Sequence, residues 1–255
     1  MITAPSPFVA IVVACLAGGL LAIIAAAGTL ALHPRWISGL ISFAVGALLG
    51  AVFVELLPHA LEQGSTQRVM ITVLAGLLLF FLLEKLVLWR HSHDAAGEVH
   101  DHTGAGSRPG LMIVIGNSVH NFCDGIVIAA TFIADFALGT TTALAIVAHA
   151  IPQQVGDFAV LLHSGYTRSR AFVYNLTTGV ATLAGGLAGY AALATMQQIL
   201  PTVLALAAAS LLYVAVADLI PSLHRRPEPA QTALQLALIG VGIGVISLVH
   251  VALER

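Results

Sequence analysis

The chain is expected to be an all-α integral membrane protein of eight transmembrane helices with both termini extracytoplasmic, and three observations carry that expectation. Of its 255 residues, 58% are hydrophobic and 9% charged, where soluble domains carry roughly a quarter charged residues. The apolar residues fall in eight runs, at 8–31, 37–61, 69–90, 110–134, 139–163, 169–193, 199–220 and 231–252, each near the roughly 20 residues that cross a bilayer as a helix. None of the runs alternates polar and apolar residues as outer-membrane strands do. The same composition excludes other classes. Ten Lys and Arg against twelve Asp and Glu give no basic surface for nucleic acid. The apolar content excludes disorder. Two cysteines, Cys15 and Cys123, both within apolar runs, cannot make a disulfide framework.

Each element follows from local chemistry. The first ten residues lack Lys and Arg, so span one is expected to be retained rather than cleaved as a secretory signal. His33-Pro34-Arg35 separates it from span two, which carries Glu55, His59 and Glu62 toward its outer end. That face either draws cations to an entrance or is an ordinary solvated helix end. Span three leads into the loop 91–108, where His91, His93, His100 and His102 cluster. Such tracts bind divalent metal through neutral imidazole or serve as polar linkers. Thr167-Arg168-Ser169-Arg170 separates spans five and six. Gly179, Gly185, Gly186 and Gly189 give span six faces for internal packing or for a homodimer contact. Asp218 lies near the inner end of span seven before Pro221, as an exit group or a partner of Arg225 or Arg226. His250 on span eight is expected at the interface.

The loops after spans one, three, five and seven hold Arg35, Lys85, Arg90, Arg108, Arg168, Arg170, Arg225 and Arg226 at or near their edges; the other side holds Arg68 and Arg255. The positive-inside rule then places both termini outside the cytoplasm. The whole chain, 1–255, reads as a single eight-helix domain. Its nine Arg and one Lys associate it by composition with a bacterial plasma membrane.

Ionisable residues within a span mark a pathway or a site. On span four, Asn117, His120, Asn121 and Asp124 share a face, with His120 and Asp124 about 40° apart around the axis. Span five repeats the pattern with His149, Gln153 and Asp157 within about 80° of arc. Pro152 between them is expected to bend the helix and free the carbonyl of Ala148. Single polar residues in a span often serve as interhelical glue, but two spans each carrying a His and a second donor one turn on point to metal ligation. Imidazole with carboxylate and carbonyl oxygen suits Zn²⁺, Fe²⁺ or Mn²⁺ better than Ca²⁺ or Mg²⁺. Cys123 flanks the His120 face, where it is expected to be a small packed thiol in preference to a soft ligand.

These residues carry a family resemblance. His120-Asn121-Phe122-Cys123-Asp124-Gly125 resembles the HNFTDG element of ZIP (Zrt/Irt-like) metal transporters, and His149 to Asp157 resembles their HExPHExGD element. Phe53 to His59 is similar to the family's second span, and Leu83-Glu84-Lys85 before a His-rich loop to its third. The resemblance implies an eight-helix protein that imports divalent metal into the cytoplasm through a site between spans four and five. It assigns His120, Asp124, His149 and Gln153 to the main site, and Asn121, with Asp124 and Gln153 shared, to a neighbouring second site. Ala150, Gln153 and Gln154 stand where the family has Glu, His and Glu; Cys123 replaces Thr and Glu55 replaces His. With Asp124 as the one sure anion, a single metal is expected rather than two. Asn117, Asp157, Asp218, Glu55 and His59 are candidate pathway positions. Zn²⁺ leads as transported substrate, with Fe²⁺, Mn²⁺ and Cd²⁺ behind it, and no cofactor is implied. A membrane metal sensor is the alternative; an intramembrane metallohydrolase is disfavoured because HExxH is missing.

Overall fold

The computed structural model describes residues 6–29, 34–96, 108–224 and 229–253. Among them stand eight helical rods: α1 (Pro7–Thr29), α2 (34–63), α3 (Thr66–Ala96), α4 (Arg108–Ala134), α5 (Phe136–His163), α6 (Arg168–Leu193), α7 (Leu200–Leu223) and α8 (Pro229–Leu253). They coincide with the eight expected spans to within a few residues. The main difference is α3, whose backbone continues to Ala96. His91 and His93 therefore sit on a helical extension rather than in a loop, while His100 and His102 lie outside the described residues. Six rods have the length and apolarity of a bilayer span by their described residues alone, and α1 offers a shorter apolar stretch, Pro7–Leu21. The remaining rod, α4, carries the polar stripe. Large apolar side chains such as Leu78, Leu176, Leu236 and Leu248 face outward, as lipid contact requires. The protein is an all-α integral membrane protein.

The rods associate as two sets. Helices α1, α4, α5 and α6 pack on one another, α8 lies along α2, and α3 lies along α7; α2 also meets α5, joining the sets. Close approach depends on glycine. A Cβ at Gly185 would collide with the Phe122 carbonyl oxygen, and one at Gly125 with that of Thr182, so α4 and α6 touch backbone to backbone. Gly186 meets Cys15 and Ile11, Gly189 meets Ile126 and Ala129, and Gly179 faces Gly19 and Ile23 of α1. The glycine faces of α6 are thus used inside the bundle, in the way small residues let membrane helices approach.

Departures from regular α-geometry fall where the sequence reading did not place them. Helix α5 runs unbroken through Pro152. Instead α2 and α7 each contain a six-residue π turn, Ala51–Leu56 and Val214–Leu219. Each has a carboxylate as its fifth residue, Glu55 or Asp218, and a proline three residues later, Pro58 or Pro221. A proline lacks the N–H and crowds the carbonyl four residues back; a wider turn just ahead of it relieves both.

Candidate metal site

Asp135 ends the short connection between α4 and α5 by accepting the Leu138 N–H at 2.9 Å, which caps α5. The resulting antiparallel hairpin sets the two polar stripes face to face. His120 and Asp124 are one turn apart on α4, and His149 comes from α5. His120 Nε2 lies 3.3 Å from His149 Nε2, and Asp124 Oδ2 lies 3.4 Å from each of those nitrogens. The three ligand atoms form a nearly equilateral triangle. For zinc ligands at 2.0–2.1 Å in tetrahedral array, adjacent donors stand about 3.3 Å apart, so the triangle has the dimensions of one tetrahedral face.

The surroundings match that use. Asp124 and His149 are buried, while the His120 side chain is 22% exposed and marks the approach. His149 Nδ1 faces the Ala145 carbonyl at 3.4 Å; a proton held there leaves the Nε2 lone pair toward the triangle. Asp124 Oδ1 is buried without a hydrogen-bond partner. A buried carboxylate with an unmet acceptor between two imidazoles has the donor set and the spare acceptor to accommodate a cation.

The other expected site residues are distributed differently. The Gln153 amide donates to Asn117 Oδ1 at 3.5 Å, and Asn117 Nδ2 donates to Asp157 Oδ2. These three form a second polar group along the α4–α5 seam, one turn from the triangle. Asp218 is exposed on α7, within electrostatic reach of Asp157. Asn121 turns to α6: its Oδ1 accepts from Thr182 at 3.2 Å, and its Nδ2 donates to the Asn117 carbonyl at 2.8 Å. Gln154 also faces α6, donating to Thr178 Oγ1 at 2.8 Å, while its own carbonyl accepts from Asn175 at 3.4 Å. Asn175, Thr178 and Thr182 were missed in the sequence reading, although their three- and four-residue spacing on α6 is itself a polar stripe. A small cavity beside the triangle is lined by Cys15, Asn121, Ala150, Gln154 and Thr182 among others, with no carboxylate in its wall.

Two expectations for α2 and α8 are corrected. Glu55 is not on a solvated helix end, nor is His250 simply interfacial: Glu55 is buried, and its Oε2 lies 2.6 Å from His250 Nδ1. The π turn explains the difference, because it shifts the face that Glu55 occupies. His59 is half-buried. Arg225 and Arg226, offered as partners of Asp218, lie outside the described residues.

Residues 6–110 and 90–250 match the family model for the ZIP zinc transporter. The chain belongs to the ZIP family. Among its relatives, zinc transporter ZIP13 of Pongo abelii is 33% identical over 226 residues, covering 82% of this chain and 65% of that protein. Zinc transporter ZIP13 of Mus musculus is 30% identical, covering 84% of this chain and 70% of that protein. Zinc transporter ZIP10 of Homo sapiens is 36% identical over 141 residues, or 53% of this chain and 17% of that protein. The chain thus spans about two thirds of the length of the ZIP13 proteins. ZIP proteins are transporters, which sets the metallohydrolase reading aside. These relatives are animal proteins, and they lend the expectation of a bacterial plasma membrane no support.

Proposed function

We propose that this ZIP protein carries a divalent transition metal, Zn²⁺ foremost, across its membrane into the cytoplasm, one ion at a time. The observation that supports this reading best is the triangle of His120, Asp124 and His149, with edges of 3.3–3.4 Å. A dehydrated dication needs its water replaced, and this triangle offers two nitrogens and a carboxylate oxygen with a fourth position open. One carboxylate leaves a net charge of +1 with metal bound, which favours release over storage.

A second dication has little to hold it. At 4 Å and an effective dielectric of 20, two dications repel by on the order of 16 kcal/mol. The neighbouring cavity answers with neutral donors only: Asn121, Gln154 and Thr182 are already engaged with one another's helices, and Ala150 has no donor side chain. Single occupancy is therefore the reading these contacts support.

Asn117, Gln153 and Asp157 form the next station along the same seam, and Asp218 follows toward the arginine-rich side. The division into α1–α4–α5–α6 and α2–α3–α7–α8 suits alternating access by movement of one helix set against the other. We take 1–255 as one transport unit, with the histidines of 91–108 as a regulatory metal receiver. Metal uptake into proteoliposomes, compared across Zn²⁺, Fe²⁺, Mn²⁺ and Cd²⁺, tests the reading. Uptake of at least one ion supports it, and binding without flux would favour a membrane metal sensor.

A further inference from the structure

Glu55 and His250 lie away from the metal triangle, and the transport reading uses neither. Helix α8 is peripheral: 11% of its most apolar stretch is buried. Its main attachment is a parallel contact with α2. A Cβ at Gly46 would strike the Ile239 carbonyl, and one at Gly242 would strike that of Phe43, while Gly50 sits against Ile243 and Ile246. Continuing this register along both helices reaches Glu55 and His250.

In a regular α-helix, position 55 would stand about 140° around the axis from position 50. The π turn over Ala51–Leu56 inserts one residue into that interval, which reduces the offset to about 40°. The turn therefore puts Glu55 on the glycine face, opposite α8. There its carboxylate is fully buried, and Oε2 meets His250 Nδ1 at 2.6 Å, with the imidazole 23% exposed. A carboxylate placed in an apolar wall needs this partner, because removing one member of such a pair leaves the other charge uncompensated.

The elements packed on the π turn bring other titratable groups: His59 and Glu62 from the end of α2, His149 and Asp157 from α5, and Tyr213 from α7, with Asp218 on the π turn of α7 that also meets α2. Of these, His149 is committed to Asp124 and Asp157 to Asn117. Glu254 and Arg255, four and five residues beyond His250, lie outside the described residues.

We propose that Glu55 and His250 form a proton-operated clamp, which fastens the C-terminal end of α8 to α2 and releases it when Glu55 takes up a proton. With Glu55 ionised, either the imidazolium or the neutral imidazole with its proton on Nδ1 donates to the carboxylate, so the clamp holds at neutral and mildly alkaline pH. Protonation of the carboxylate removes the charge that holds the imidazole, whose exposed side turns to water.

Hydrogen–deuterium exchange of the full chain in lipid nanodiscs, without added metal, reads the clamp at residues 243–253. After correction for intrinsic exchange rates, wild type should lose protection there at least tenfold between pH 7.5 and pH 3.5, across the carboxylate range. Glu55→Gln and His250→Gln should exchange fast at both pH values. His250→Lys, which keeps a cation, should retain protection at pH 7.5. His250→Gln keeps the proposal testable if Glu55→Gln does not fold. Protection in His250→Gln equal to wild type, or a wild-type pH response surviving in either Gln variant, would overturn it. The readout needs no metal flux, so it stands or fails independently of the transport reading.

Discussion

His120 and His149 are 29 residues apart in sequence, yet their Nε2 atoms approach to 3.3 Å, with the rings edge to face at 78°. Two imidazole nitrogens this close, with Asp124 Oδ2 at 3.4 Å from both, have the spacing of ligands around one small cation. An ion seated there touches all three donors at once.

Asp124 supplies the single negative charge of the triangle. Asp124→Asn preserves shape and removes the charge. At an effective dielectric of 20, a dication and a unit charge at 4 Å attract by about 8 kcal/mol, of which the amide oxygen retains part, so Zn²⁺ affinity should fall by at least about 10³-fold. Isothermal titration of the purified variant against wild type measures it, and an affinity within threefold of wild type would remove Asp124 from the site.

Metal stoichiometry should be one per chain at the α4–α5 seam. Anomalous scattering or elemental analysis after gel filtration counts it, leaving aside ions held by the histidines of 91–108, which a variant with His91, His93, His100 and His102 changed to Ser would remove. Two well-occupied metals bridged by Asp124 would contradict the single-ion reading.

Imidazole ligates only when neutral, so protons compete with metal. Uptake should therefore decline as pH falls from 7 to 5. Initial uptake rates at fixed free Zn²⁺ test this. A flat profile over the window would argue against two imidazole ligands.

Gly125 and Gly185 hold α4 against α6 by backbone contact. Gly185→Ala should push the helices apart and destabilise the protein by about 1–3 kcal/mol, with a lower unfolding temperature in detergent. Unchanged stability would mean that this contact yields without cost.

The eight rods were legible because each apolar run matches a bilayer crossing and each break is polar. The triangle was legible for a local reason: His120 and Asp124 share one helix face, and the α4–α5 connection is too short to let His149 lie far from them. What the sequence did not disclose depends on contacts between distant rods. Gln154 resembles a site residue by position, but Thr178 and Asn175 hold it on α6. Glu55 resembles an entrance group at a helix end until the π turn rotates it toward His250. Pro58 and Pro221 each follow a π turn, yet Pro152 lies within an unbroken helix, so proline alone does not locate a π turn.

Passage of a divalent metal through His120, Asp124 and His149 is the step on which the mechanism depends. It is tested by Zn²⁺ accumulation in proteoliposomes containing wild type, His120→Ala or His149→Ala, with circular dichroism confirming that each variant is folded. Wild type should show saturable uptake, and either variant should lose at least nine-tenths of it. Wild-type uptake rates in both folded variants would contradict passage through this triangle.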